Sequence, residues 1–168
     1  MFKYYMNTFG TLQKTDYQFT YDRVIVDTYH TMESKPEGPY LWGSTYDEDT
    51  DDTPWIRYCK QYLPERLHGT KLFLFTVDYH ANILILDSIS SMIQLETFIL
   101  KSSFDDINLL DWEGISKRYD GFYITKEIID KYSYKGFNKV RFSQWSIESL
   151  LVWNTRIVRP IYEREVIG

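Results

Sequence analysis

Two short apolar runs constrain this chain more than any other feature. Residues 71–78 (KLFLFTVD) and 81–87 (ANILILD) are dominated by Leu, Ile, Phe and Val, and each ends in an aspartate. Segments of this length and content fit strands of a sheet, and they fall far short of the ~20 apolar residues a helix needs to cross a bilayer. Only Tyr79 and His80 separate them, so the spacing predicts a β-hairpin, although this pair lacks the glycine or asparagine of the favoured two-residue turns.

The surrounding chain reads as further strands with short helices between them. Residues 17–29 (YQFTYDRVIVDTY) are rich in β-branched and aromatic side chains and predict one or two strands. Pro36, Gly38 and Pro39 punctuate a turn over 33–39, and residues 40–45 (YLWGST) predict a short strand. The acidic run 47–52 reads as an exposed loop. Thr53 and Pro54 then supply an N-cap and a first helical residue for a helix over 55–63. Residues 88–100 predict a helix, and 111–118 (DWEGISKR) a second one with an acidic start. Residues 121–125 and 150–158 (LLVWNTRIV) predict two more strands. Strands outnumber helices and do not alternate with them regularly, so the expected class is α+β in a single domain over 1–168, not a doubly wound parallel sheet.

Composition narrows the function classes. Apolar residues make up 43% and charged residues 26% of 168, which fits a globular chain. Aromatics reach 18%, with 15 Tyr, 10 Phe and 5 Trp, a supply that serves a core and ligand-stacking surfaces alike. The net charge of −5 disfavours sequence-independent coating of nucleic acid, which needs a basic face. Cys59 is the only cysteine, so an intrachain disulfide and a cysteine-rich zinc site are both excluded. The first residues lack a signal-peptide pattern, and no run is long enough for a membrane span, so the cytoplasm is the expected compartment. Dinucleotide-loop, phosphate-loop and nucleophile-elbow motifs are absent. His30, His68 and His80 form no H-x-x-x-H pair, and the run 47–52 lacks the central Gly and closing Glu of a calcium loop. No metal is expected.

Three separated segments point to one chemistry. VIVDTYHT ends in His30 and Thr31. YLWGST, followed by WIRYCK, carries Trp42, Gly43, Ser44 and Tyr58. WSIESLLVWN places Glu148 just before an apolar strand. Together they resemble the histidine–tyrosine–glutamate branch of the ADP-ribosyltransferase superfamily, the poly-ADP-ribose polymerase and diphtheria-toxin type, in a small bacterial or phage form. His30-Thr31 corresponds to the His-Gly-Ser/Thr strand end without its glycine, and residues 40–44 to Gly-Ile-Tyr-Phe-(Ala/Ser), with Trp42 in place of tyrosine. Tyr58-Cys59 corresponds to the helix motif, and residues 148–154 to the late Glu strand.

The resemblance implies a split antiparallel sheet that binds NAD as substrate and transfers ADP-ribose to a macromolecular acceptor, protein or nucleic acid, in a toxin or phage–host setting and without a membrane. It makes Glu148 the catalytic carboxylate, which stabilises the oxocarbenium-like ribose as nicotinamide leaves. Trp42 and Tyr58 would sandwich the nicotinamide, His30 with Thr31 would meet the adenosine ribose, and Gly43 with Ser44 the carboxamide. A second branch uses Arg, Ser and Glu, which Arg23, Ser44 and Glu148 supply in order, without the usual acidic or amide residue at position 146. The alternative from another class is a non-catalytic inhibitor or nucleotide-binding module on the same fold.

Overall fold

The computed structural model describes residues 1–27, 35–36, 40–102 and 106–166. A seven-stranded sheet carries the fold, built from β1 (Phe9–Lys14), β2 (Leu41–Thr45), β3 (Thr70–Val77), β4 (Ile83–Leu86), β7 (Gly121–Ile124), β8 (Ser149–Val152) and β9 (Val158–Glu165). Its spatial order is β4-β7-β8-β2-β1-β3-β9, and β4–β7 is the parallel pair in an otherwise antiparallel sheet. A two-stranded ribbon, β5 (Ile99–Leu100) and β6 (Leu109–Leu110), stands apart from it. Helices α1 (Pro54–Tyr62), α2 (Trp112–Arg118) and α3 (Lys126–Tyr132), with a 3-10 helix at Ser90–Phe98, complete an α+β architecture.

The sheet is continuous only through a narrow seam. β1 pairs with β2 at Phe9↔Thr45 and Gly10↔Ser44, and then the two strands part. The rest of β1 follows β3 down to Lys14↔Thr70, whereas β2 follows β8 from Leu41↔Val152 to Gly43↔Leu150. Two glycines permit the close approach at the seam. A Cβ at Gly10 would lie 2.8 Å from Thr53 Cγ2, and one at Gly43 would lie 2.9 Å from Phe75 Cζ. Both distances are shorter than packed side chains tolerate.

Strand alternation sends side chains to two separate layers. On one face Phe9, Leu41, Phe75, Tyr123, Leu150 and Val152 pack beneath Phe2 and Tyr4 of the N-terminal residues. The other face is covered in two places. Ile56 of α1 packs on Leu72 and Leu74 of β3. α2, α3, the 3-10 helix and the segment holding Phe142 and Trp145 pack on Leu84, Leu86, Phe122, Ile124 and Leu151. Each fully buried aromatic contributes ~1.5–3 kcal/mol of burial energy, which accounts for the central place of Phe9, Phe75, Phe122 and Trp112.

Several sequence expectations are met. The strand over 40–45, the strand over 121–125 and the helix over 111–118 are all present, the last capped by Asp111 accepting from Gly114 N. Thr53 caps α1 by accepting from Ile56 N, with Pro54 in the first turn. Others are corrected. The two apolar runs form no hairpin: β3 lies between β1 and β9, and β4 lies at the far edge of the sheet. Asp78 is the physical reason, since its side chain accepts from His80 N, its backbone carbonyl accepts from Ala81 N, and Arg159 binds it at 3.0 Å. That local turn turns the chain away from β3. Of the one or two strands expected over 17–29, residues 28–29 lie outside the described residues, and 17–27 make no strand beyond a bridge between Arg23 and Asn154, because side chains take backbone donors: Val26 N, for example, bonds Ser116 Oγ at 2.9 Å. The helix over 88–100 is a 3-10 helix, preceded by a turn in which Ser88 and Ser91 side chains bond to the backbone. The strand over 150–158 breaks at a 3-10 turn, Thr155–Ile157, where Asn154 N bonds Asp120 O and Thr155 N bonds Asp22 O. Among the described residues no helix is long and apolar enough to cross a membrane.

The seam carries a direct test. Gly43→Ala is expected to cost ~1–3 kcal/mol of unfolding free energy in urea melts, by overpacking against Phe75. An unchanged midpoint would mean that the strands can separate there without strain.

Candidate functional site

Where β1 and β2 part, the face carrying the helices opens into a cleft of about 460 Å³. It lies between the two helical coverings, α1 on one side and the Trp145 segment on the other. One wall holds Tyr40, Trp42 and Trp145, the opposite wall Trp55 and Arg66, and the backbone at Gly10 and Gly43 forms part of its lining.

Each ring is positioned by a specific neighbour. Trp42 shares a sheet face with Leu151 and Phe122, and Trp145 packs against both Trp42 and Phe122 at 5.4 Å between ring centroids. Trp55 stands in the first turn of α1, with its backbone N donating to Ser44 Oγ at 3.4 Å. Tyr58 stacks on the Trp55 ring at 5.7 Å and 12°. Arg66 lies 5.8 Å from the Trp55 centroid, and Lys35 Nζ lies 5.3 Å from Trp42 and 5.9 Å from Trp145. These cation–π contacts hold two positive groups at the cleft. The described lining residues include Lys35 and Arg66 and no carboxylate. The described lining therefore offers flat apolar faces and two cationic groups.

Glu148 belongs to the opposite face. Thr45 donates to its carboxylate twice, from N at 2.9 Å and from Oγ1 at 2.8 Å, and the Tyr123 hydroxyl donates a further bond. Thr45 lies two residues beyond Gly43 and four beyond Leu41, and Tyr123 and Leu150 sit in the layer under Phe2 and Tyr4. Glu148 thus points away from Trp42, although its neighbours Ile147 and Ser149 line the cleft. Burial pushes its carboxyl above the ordinary value, against the lowering effect of the Thr45 and Tyr123 bonds. Burial also raises the Tyr123 hydroxyl, with the Glu148 charge adding to the rise. Nearby, the Tyr4 hydroxyl donates to Asp87 Oδ2 at 2.6 Å and Lys3 pairs with the same carboxylate. Burial works to raise Asp87, but the bonds from Lys3 and Tyr4 outweigh it and hold that carboxyl low.

Of the residues singled out by sequence, Trp42 and Gly43 line the cleft. Ser44 is buried behind it and Tyr58 supports Trp55. Glu148 is not brought together with them. His30 and Thr31 lie outside the described residues. Arg23 is turned to Asp120 Oδ1 at 2.8 Å and to the carbonyls of Ser116 and Tyr119, so it does not join Ser44 and Glu148. Cys59 is buried, and burial raises its thiol. In the acidic loop, Asp51 binds Arg164 and Asp52 binds Lys60, and no group that could hold a metal occurs among the described residues. Sequence reasoning missed Tyr40, Trp55, Trp145, Lys35 and Arg66. Trp55 was reachable, being three residues before Tyr58 and one helical turn away. Trp145 comes from a segment with no regular periodicity. Comparison of the chain with protein-family models, with curated proteins and with solved structures finds no match.

The raised carboxyl of Glu148 makes stability depend on pH in a defined direction. The folded state binds that proton more tightly than the unfolded chain. The stabilisation is full below the ordinary carboxylate range and falls as pH rises through the folded value. Glu148→Gln is therefore expected to gain on wild type in melts as the pH rises from the ordinary carboxylate range toward neutrality. A constant difference across that window would remove the burial argument.

Proposed function

We propose that this chain is a nucleotide-binding module whose cleft takes a planar base with its phosphates, of the NAD or ADP-ribose type. One observation carries the reading: four aromatic rings and two cations converge on a single cleft whose described lining has no carboxylate. Aromatic faces stack on any base for ~1–3 kcal/mol each, and Lys and Arg complement phosphate. A volume of about 460 Å³ falls within the usual range for small-ligand sites.

The mono-ADP-ribosyltransferase reading, with NAD as substrate and a macromolecular acceptor, is favoured by a different observation. Glu148 is a half-buried carboxylate between two cleft residues, just before the strand that borders β2. Catalysis would require that carboxylate to leave Thr45 and reach the ribose from the other side of the strand. The binding module needs no such movement, so it ranks first.

Titration of the protein with NAD and with ADP-ribose, followed by tryptophan fluorescence and calorimetry, tests both. Saturable binding that weakens ~10-fold or more in Trp42→Ala and in Trp55→Ala supports the module. Absence of binding, or binding indifferent to both substitutions, rejects it. Nicotinamide release that disappears in Glu148→Gln would establish the transferase instead.

A further inference from the structure

The parting of β1 and β2 opens on both faces of the sheet. Opposite the aromatic cleft lies a second one of about 450 Å³, lined by residues that include Gln13, Tyr17, Thr20, Asp22 and Thr155. Gln13 and Tyr40 line both clefts, so the two adjoin through the gap between the strands. Their chemistry differs. The aromatic cleft has two cations and no carboxylate among its described lining, whereas the second has the carboxylate of Asp22 and no Lys or Arg. Arg23, next along the chain, is committed to Asp120.

Asp22 is held in place by its backbone. Its N donates to Thr155 Oγ1 at 2.8 Å, its carbonyl accepts from Thr155 N at 2.7 Å, and Thr155 Oγ1 donates to Thr20 O at 2.7 Å. Its side chain is exposed, and its Oδ1 accepts from Arg23 N at 2.7 Å, which orients the carboxylate. An oriented carboxylate beside hydroxyl and amide groups suits a vicinal diol, whose hydroxyls donate to the carboxylate and accept from the neutral groups. Phosphate would be repelled there, and a lone cation would leave the neutral groups unused.

We infer that the second cleft is a subsite for the distal ribose of a dinucleotide-like ligand whose base and phosphates occupy the aromatic cleft. The inference rests on the nucleotide reading above, and it adds that the ligand carries a second sugar.

ADP-ribose is ADP with that sugar esterified to its terminal phosphate, which also removes about one negative charge, so calorimetry with the two, in wild type and in an Asp22 variant, separates the claims. Wild type is expected to bind ADP-ribose about 10-fold or more tighter than ADP, the usual worth of hydrogen bonds to a charged group. In Asp22→Asn, which keeps the bond from Arg23 N, that preference should shrink to about 2-fold or less, since a neutral acceptor is the weaker one. ADP affinity should stay at the wild-type value, which also reports that the variant is folded. Equal binding of both ligands by wild type, or a preference that survives Asp22→Asn, overturns the subsite and leaves the aromatic cleft standing. Failure of wild type to bind either ligand overturns both.

Discussion

The two-pair seam between β1 and β2 is the constraint on which the rest of the structure depends. A sheet that pairs along its full length has no interior opening, and its polar backbone groups are consumed by the ladder. Here β1 and β2 meet only at Phe9↔Thr45 and Gly10↔Ser44, and each then follows a different partner. The opening that results has strand edges on both sides, and its walls come from whatever the diverging strands carry. β2 carries Trp42 and β1 carries Gln13, so the gap has an aromatic wall and a polar rim. Packing fixes the divergence from behind. Phe75 fills the space left by the missing Cβ of Gly43, and Thr53, Leu72 and Leu74 crowd Gly10.

A second constraint keeps the far side of the opening rigid. Asp120 accepts from Arg23 Nη1 at 2.8 Å, Asn154 Nδ2 at 2.7 Å and Asn82 N at 2.9 Å, while its carbonyl accepts from Asn154 N at 3.1 Å. One partly buried carboxylate thus joins the segment after β1, the start of β4, the turn into β7 and the end of β8. Ionic hydrogen bonds in such a site are stronger than exposed pairs, because solvent screens them less. The exposed pairs Lys117–Glu113 and Lys126–Asp130 have no comparable role, being helix-surface contacts of ~0.3–0.5 kcal/mol each.

Much of the fold was legible where local chemistry decides it. Thr53-Pro54 and Asp111 mark helix starts through capping that needs no distant partner. Gly121 and the following apolar residues mark a buried strand. Legibility ended where distant groups compete for the backbone. Asp78 turned an expected hairpin into a change of direction, and the 17–27 segment yielded its backbone donors to Ser116 and Trp153. β9 is exposed along most of its length, so its pattern carries no alternation to read. At the site, Trp42 and Gly43 were readable as a strand motif, whereas Trp145, Lys35 and Arg66 reach the cleft from separate segments that only the tertiary fold assembles.

The position of Glu148 turns on strand parity. A residue one step along a strand changes face, so a carboxylate flanked by two cleft residues is directed to the opposite layer. There it meets Thr45 and Tyr123 beneath the N-terminal aromatics, where burial favours its neutral form. The Glu148 charge acts there on the Tyr4 hydroxyl, which donates to Asp87, and Lys3 is paired with that same Asp87 carboxylate. The charged side chains of the aromatic cleft's described lining are Lys35 and Arg66 instead. On the nucleotide reading proposed above, the flat walls of the cleft would stack the base, and the carboxylate for the sugar would be Asp22, across the Gln13 rim on a backbone clamped by Thr155.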